Sequence, residues 1–214
     1  MTFDPVLLLA MWAAGLSLCA ALVGWWKVAR TGYLWLAGGV VVLVGLAAGF
    51  SEPVAVVALV LAAGGGLLAR RPQLSAVAFA AAAVAFFVVG VERDSFIPVF
   101  TGAAALGGIT AEMLLGHWYL VDPKLPRWVL KRLDLIAGAG VLADVVVAAV
   151  VGTLPAPTDL MGVAYLMLAV TSLVLVVAVW YSLREKGYEG VMAATGLSYL
   201  ATLTVLGTTF LARI

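Results

Sequence analysis

Residues 161–182 read MGVAYLMLAVTSLVLVVAVWYS, a run of 22 residues without a charged side chain. An α-helix rises about 1.5 Å per residue, so a run of this length spans the roughly 30 Å hydrocarbon core of a bilayer. A helix that is apolar on every side has no polar face to turn toward water. This stretch therefore predicts a transmembrane helix.

Seven further mainly apolar segments accompany it along the chain. They lie at 5–26, 31–50, 54–69, 74–91, 96–121, 129–152 and 190–212. The segment 54–69 is short, but Arg70 and Arg71 at its end can extend their charged heads to the membrane surface. Hydrophobic residues make up 65% of the chain and charged residues 11%, against about 25% charged residues in an average soluble domain. The sequence predicts an all-α polytopic membrane protein with about eight transmembrane helices.

The connecting segments differ in charge between the two sides of the predicted membrane. Ten basic residues fall in alternate connections: Lys27, Arg30, Arg70, Arg71, Lys124, Arg127, Lys131, Arg132, Arg184 and Lys186. Only Arg93 and Arg213 fall on the opposite side. Because basic loops stay in the cytoplasm, eight spans place the N-terminus and the C-terminus on the non-cytoplasmic side. The lack of Asn and the single Gln73 are typical of a GC-rich or thermophilic prokaryote, so we expect a prokaryotic cytoplasmic membrane.

The connections are too short to hold a second domain, so residues 1–214 are predicted to form a single transmembrane domain. A weak repeat of four plus four helices would divide it into 1–93 and 94–214. Its sequence signal is the pair GWW at 24–26 and GHW at 116–118, each near the end of a segment. Because each half contains an even number of helices, the two halves would have the same orientation, which defines a parallel repeat.

Two carboxyl side chains lie deep inside predicted spans, Glu112 in the fifth and Asp144 in the sixth. An ionisable group at this depth is costly and is by default a functional hypothesis. Counting from cytoplasmic boundaries near Val121 in the fifth span and near Leu133 in the sixth places both at a depth of about 14–16 Å, so we expect a shared depth on neighbouring antiparallel helices. Such a pair could relay protons or bind substrate. The alternative is a neutral carboxyl that only hydrogen-bonds a neighbouring helix.

His117 and Tyr119 follow Glu112 toward the predicted cytoplasmic surface. Tyr119 shares the helix face of Glu112 at i+7, whereas His117 is rotated about 140° from it. Since imidazole titrates near neutrality, we expect both as proton-relay or substrate-binding residues on a route to mid-membrane. His117 could instead bind a quinone carbonyl, or serve only as an interfacial hydrogen-bonding group.

The stretch KLPRWVLKR at 124–132 is basic and amphipathic. Lys124, Arg127, Lys131 and Arg132 are predicted to lie at the cytoplasmic headgroups, where they would contact anionic lipid or a partner. One His and one Cys cannot supply a zinc or iron–sulfur site, so no metal is predicted. We expect no cofactor, with a bound quinone as the alternative.

Three functions from different classes are consistent with these residues. The first is a small proton-coupled transporter or proton-conducting protein that uses Glu112 and Asp144. The second is a quinone-interacting membrane subunit of a redox complex, and the third is a non-catalytic scaffold or assembly factor. No nucleophile or metal set suggests an enzyme, and the net charge of +1 does not favour nucleic acid. Membrane lipids, a homo-oligomer or a larger membrane complex are the expected partners.

Overall fold

Eight α-helices form nearly all of the chain that the structure describes. A computed structural model describes residues 4–28, 31–48, 52–156 and 158–214. The helices are α1 (Pro5–Trp25), α2 (Thr31–Ala47), α3 (Pro53–Leu67), α4 (Pro72–Val91), α5 (Phe96–Tyr119), α6 (Arg127–Val151), α7 (Leu160–Ser182) and α8 (Tyr188–Leu211). A short 3-10 turn, Leu68–Arg70, follows α3. The described residues contain no β-strand.

Local sequence sets where several helices begin and end. Pro5, Pro53 and Pro72 occupy the first position of α1, α3 and α4, where a missing backbone N–H costs nothing. Asp4 caps α1 by accepting hydrogen bonds from two backbone amides of its first turn. Gly152 ends α6 in the left-handed conformation, with φ of 79°. The helix ends therefore follow from residues adjacent to them in the sequence.

Seven of the described helices are long and apolar enough to cross a membrane. The remaining one, α2, has 17 residues and rises about 25 Å. α3 reaches the required length only together with the turn that ends at Arg70. Large apolar side chains face outward, for example Leu67, Leu160 and Leu203, which are 67–84% exposed. The all-helical prediction is confirmed, and the apolar exterior is compatible with an integral membrane protein.

The helices pack as two groups of four, α1–α4 and α5–α8. In the first group α1 contacts α2 and α4, and α3 contacts the same two helices. The second group follows the same order, since α5 and α7 each contact α6 and α8. α1 and α5 pack against each other and join the groups. This arrangement places α5 in the interior, bordered by α1, α6 and α8.

α1 and α5 cross at two glycines. A Cβ atom built on Gly15 would overlap the backbone of Ala103, and one built on Gly107 would overlap the backbone of Gly15. Small residues allow such close approach between membrane helices. Because the obstacle in each case is backbone rather than a flexible side chain, the neighbouring helix must move as a whole.

Gly15→Ala is expected to lower the free energy of unfolding by about 1–3 kcal/mol, because overpacking forces the two backbones apart. Denaturation curves of the protein purified in detergent measure this change. Gly39→Ala in α2 is the matched control, since no atom lies within 4 Å of the position that the added methyl group would occupy. Alanine at position 39 should leave stability unchanged or raise it slightly. Identical curves for the two variants would contradict the close crossing.

Candidate functional site

Buried polar side chains concentrate in the second group of helices. Among the described residues, only Ser17 and Ser75 are buried polar residues of α1–α4. The others belong to α5–α8: Thr101, Thr110, Glu112, Asp134, Asp144, Ser172, Thr195, Ser198, Thr202, Thr208 and Thr209. Burying a polar group is costly unless it is hydrogen-bonded. The interior of α5, α6 and α8 is therefore where a functional site is to be sought.

Glu112 lies on the side of α5 that faces α8. Its side chain is fully buried, and its Oε2 is in hydrogen-bonding contact with the hydroxyl of Ser198. The same Ser198 oxygen lies 2.7 Å from the backbone carbonyl oxygen of Ala194. Oε1 of Glu112 has no hydrogen-bond partner in the described part of the chain. None of the ion pairs between described residues includes Glu112.

Asp134 of α6 is a second carboxyl of this site, and the sequence analysis missed it. It is buried, and its Oδ1 has no hydrogen-bond partner among the described residues. Gly108 of α5 packs against Ala137 of α6, and this register places Asp134 at the level of Glu112. The sequence criterion selected only carboxyls deep inside predicted spans, and Asp134 stands two residues after Arg132. In the structure it lies about 10 Å along α6 from Arg127. Buried residues at alternating spacings of three and four connect Asp134 to Asp144, a pattern that could have placed both on one helix face.

Asp144 belongs to a separate site near the other end of α5. The hydroxyl of Thr101 donates a hydrogen bond of 2.7 Å to its Oδ1. The guanidinium of Arg213 donates to both carboxylate oxygens, at 2.7 and 3.1 Å. The side chains of Asp144 and Arg213 are only 5% and 8% exposed. Arg213 also donates to the carbonyls of Pro98 and Thr209, so this is a buried, bidentate ion pair.

Arg213 is a further site residue that was not predicted. In the sequence it was only one of two basic residues expected on the non-cytoplasmic side. The structure folds its guanidinium back from the end of α8 to the carboxylate of Asp144. The available signal was an Asp inside a span and an Arg at the end of another span on the same side of the membrane, because such charges tend to pair.

The predicted shared depth of Glu112 and Asp144 is wrong. The register of α5 against α6 places Asp144 beside Thr101. Thr101 and Glu112 are eleven residues apart on α5, which is about 16 Å along the helix axis. The prediction counted the depth of Asp144 from a cytoplasmic boundary near Leu133, whereas α6 begins at Arg127. The earlier start carries Asp144 away from the basic end of the bundle.

His117 and Tyr119 lie on different sides of α5. His117 is exposed, and its Nδ1 is 3.2 Å from the hydroxyl oxygen of Tyr199. Tyr119 is buried, with its ring centroid 6.1 Å from that of Tyr188 at the start of α8. The structure does not bring His117 to Glu112. Of the two predicted relay residues, only Tyr119 lies inside the helix group on the Glu112 face.

Of the four residues predicted to contact lipid or a partner, Arg127 binds another part of the chain and the other three lie at the surface. Arg127 donates hydrogen bonds to two backbone carbonyls of the loop between α7 and α8, so its charge holds that loop. Arg132 lies over two indole rings, at 4.6 and 5.4 Å from their centroids. Lys131 lies 5.9 Å from a third indole centroid, and Lys124 is exposed. Arg132, Lys131 and Lys124 remain at the surface, and for them contact with lipid or a partner stays a prediction.

A cavity of about 650 Å³ lies beside the Asp144–Arg213 ion pair, and both residues line it. Its other walls come from the start of α1, the end of α6 and the loop that leads into α7. This end of the bundle is opposite to the end that carries most of the basic residues. The apolar part of the lining includes Leu7, Val147 and Met161. The volume falls within the range of small-molecule sites.

A second ion-pair network stands at the rim of this cavity. The guanidinium of Arg93 pairs with Glu52, and its Nε lies 3.2 Å from Oδ2 of Asp4. The hydrogen bond from Arg93, and then its charge, lower the pKa of Glu52 below the ordinary value of 4.5. Glu52 precedes α3 and lies outside the apolar helices. The network thus links the starts of α1 and α3 to the loop after α4.

This network should make the protein less stable in acid. When folding lowers a carboxyl pKa, the stabilisation is present above the ordinary pKa and is lost as the pH falls through the folded value. We therefore expect the melting temperature to fall between about pH 5 and about pH 3, and Arg93→Gln to flatten part of that fall. Thermal unfolding in detergent at both pH values measures it, with Arg184→Gln at the opposite end as control. An unchanged pH slope in Arg93→Gln would contradict the role of the network.

Comparison with known proteins yields no match: no family model, curated protein or solved structure is similar to this chain. The described residues also contain no group of three or more His, Cys, Asp and Glu placed to hold a metal ion. Functional conclusions therefore rest on the two buried sites and the cavity.

Proposed function

We propose that this chain is an integral membrane protein that moves protons across a prokaryotic cytoplasmic membrane by loading and unloading Glu112. The seven long apolar helices support the membrane location. With α2 as an additional span, the concentration of basic residues in alternate connections supports non-cytoplasmic termini. In this orientation Glu112 and Asp134 lie toward the cytoplasm and Asp144 lies toward the outside.

The hydrogen bonding of Ser198 is the observation that carries the proposal. Ser198 has one hydroxyl hydrogen and two acceptors within reach, a carboxyl oxygen of Glu112 and the carbonyl of Ala194. If Glu112 is ionised, the single hydrogen can serve only one of them. If Glu112 carries a proton, it donates to Ser198 while Ser198 donates to Ala194, and both hydrogens then have an acceptor. The geometry supports a carboxyl that holds a proton at rest.

Asp134 supplies a second position for that proton. Neither carboxyl forms an ion pair with another described residue, so two carboxylate anions buried there would repel each other and lose their hydration. The Glu112–Asp134 pair is therefore stable when it holds at least one proton, and that proton can change its place between the two groups. Tyr119 is buried on the same side of α5, toward the basic end of the bundle. It is the side chain best placed to lead from this pair to the cytoplasmic surface.

The two groups of helices support the predicted parallel repeat. Gly15 and Gly107, which meet at the crossing of α1 and α5, are 92 residues apart. When α4 is aligned with α8 at an offset of 119 residue numbers, every buried residue of α4 is matched by a buried residue of α8. A shift of 96 residues does the same for α2 and α6. These correspondences support a packing pattern that is repeated in the two groups.

Equivalent positions in the two groups of helices indicate that helix packing does not require the polar side chains of the candidate sites. With these shifts, the counterparts of Glu112, Asp134, Asp144 and Ser198 are Ala20, Gly38, Ala48 and Phe79. All four counterparts are buried, so the first group is packed at these positions without ionisable side chains. Because buried carboxyls are costly, their presence in the second group alone favours a functional role over a structural one.

The interior between the two sites favours a carrier over an open pore. Between Glu112 and Thr101 the buried residues include the apolar Ala105, Val141 and Val205, together with the hydroxyl residues Thr110 and Thr202. The hydroxyls of α8 mostly donate to carbonyls of their own helix, so they form no continuous chain of donors and acceptors. Proton passage would therefore require α5, α6 and α8 to shift against one another.

Proton flux in protein-containing liposomes tests this proposal. Liposomes loaded with a pH-sensitive dye are given an inside-negative potassium diffusion potential with valinomycin, and internal acidification is followed. We expect acidification that depends on the protein, saturates with proton concentration and rises steeply with temperature, as a carrier requires. Acidification equal to that of protein-free liposomes would reject the proposal and leave the scaffold role as the better explanation.

A quinone-interacting subunit is the second candidate, and one observation favours it. The exposed His117 and Tyr199 form a hydrogen-bonded pair at the surface between α5 and α8. An imidazole and a phenol can both donate to a quinone carbonyl. Native mass spectrometry of the protein in mild detergent, with an absorption spectrum of the same sample, tests this role. A stoichiometric quinone that is lost in His117→Ala would establish it, and a quinone-free protein would reject it.

A further inference from the structure

The cavity beside Asp144 and Arg213 has more acidic than basic charge. Four aspartates and two arginines line it: Asp4, Asp94, Asp144, Asp159, Arg93 and Arg213. Both arginines are already paired, Arg213 with Asp144 and Arg93 with Asp4 and Glu52. The lining therefore holds an excess of negative charge, and a bound ligand that carried a positive charge would reduce it.

Two carboxylates of the lining have no basic partner in the described part of the chain. Asp94 accepts hydrogen bonds only from the backbone and hydroxyl of Ser95. Asp159 precedes α7 without a side-chain capping bond, although this is the position at which an Asp ordinarily caps a helix. Both carboxylates can therefore receive a cation without breaking an existing ion pair.

The rest of the cavity would accept an apolar body. Leu7, Val147, Val151 and Met161 contribute apolar surface to the lining. Arg213 lines the floor of the cavity, and its charge is already paired with Asp144. A volume of about 650 Å³ holds a compact organic molecule rather than a single metal ion. Apolar walls with a negative rim are complementary to an amphiphilic organic cation.

We infer that this cavity binds a lipophilic organic cation and is the substrate site of the proposed proton carrier. The cation would lie near Asp94 and Asp159 with its apolar part against Val147. The role as a substrate site rests on the proposed function, whereas binding does not. α8 carries Ser198 beside Glu112 and ends two residues before Arg213 at the cavity floor, so a shift of this one helix would connect occupation of the cavity with the proton site.

Equilibrium dialysis of radiolabelled tetraphenylphosphonium against the detergent-purified protein tests the inference. We expect saturable binding with one site per chain, and weaker binding of tetraphenylborate, which has nearly the same shape and the opposite charge. Asp94→Asn combined with Asp159→Asn should raise the Kd about tenfold, because two attractive charges are lost. Glu189→Gln, an exposed acidic residue at the opposite end, should leave the Kd unchanged.

Two substitutions at neighbouring positions distinguish cation binding in the cavity from cation binding to the membrane-facing surface. Val147 lines the cavity, whereas Val146 is 52% exposed on the outside of α6 and does not line it. Val147→Trp should abolish saturable binding by filling the cavity, and Val146→Trp should retain it. Equal binding by both variants, equal binding of the borate, or no saturable binding would overturn the inference. Proton flux of the wild type in liposomes, measured without the cation, would then still decide the proposed function separately.

Discussion

Glu112→Gln is expected to reduce proton flux in liposomes to the level of protein-free liposomes while the protein remains folded. The amide has the size of the carboxyl, and its N–H can donate to Ser198 as a protonated carboxyl would. Ser198 can then keep its own bond to Ala194, so the free energy of unfolding should change by less than about 1 kcal/mol. What the amide cannot do is release a proton. The variant therefore removes the proposed chemistry and preserves the packing.

The control for this experiment is Glu189→Gln, which neutralises an exposed acidic residue in the first turn of α8. It should conduct protons like the wild type. Asp134→Asn should reduce the flux as well, because Glu112 would lose its exchange partner. Flux through Glu112→Gln at the wild-type rate, in a protein with a normal denaturation curve, would remove Glu112 from the mechanism.

Arg213→Gln is expected to cause the largest loss of stability among single substitutions at the candidate sites. The substitution leaves the buried carboxylate of Asp144 without its cation, and breaking a buried pair from one side costs about 3–5 kcal/mol. The hydrogen bond from Thr101 to Asp144 would remain but cannot replace a charge. Denaturation of the purified protein in detergent measures the effect.

The double variant Asp144→Asn with Arg213→Gln distinguishes the cost of an unpaired carboxylate from the cost of losing the arginine side chain. Because both charges are removed together, it should be more stable than Arg213→Gln alone. Arg184→Gln, which neutralises an exposed arginine at the opposite end, should change the free energy by no more than about 0.5 kcal/mol. A double variant as unstable as the single one would show that the charge pair is not the stabilising element.

The helices could be predicted from the sequence because each one is an apolar run with a visible end. α7 occupies 160–182, and the quoted uncharged run occupies 161–182. Prolines mark the starts of α1, α3 and α4, so their boundaries followed from local residues. The 17 residues of α2 show the weakness of the method, since length alone does not decide whether a short apolar helix crosses the membrane.

The candidate site was only partly predictable, because it depends on the register between helices. Glu112 and Asp144 were found as charges inside apolar runs. Their relative depth depended on the boundary of the sixth span, and the boundary assumed near Leu133 lies six residues after the start of α6 at Arg127. Asp134 was overlooked for the same reason, since a late start leaves it at the surface. Arg213 reaches its partner through a long side chain that folds back from the end of α8. A single sequence places these two charges on the same side of the membrane, but it does not specify their contact.

Infrared difference spectroscopy of the carboxyl groups is the most direct test of the central claim that Glu112 holds and releases a proton. Spectra of the wild type and of Glu112→Gln are recorded in lipid while the pH is raised through the physiological range. The proposal predicts a carboxylic-acid carbonyl band in the wild type that is missing in the variant and that decreases as a carboxylate band grows. A wild-type spectrum without that carboxylic-acid band at any pH, or with a band that persists in Glu112→Gln, would contradict it.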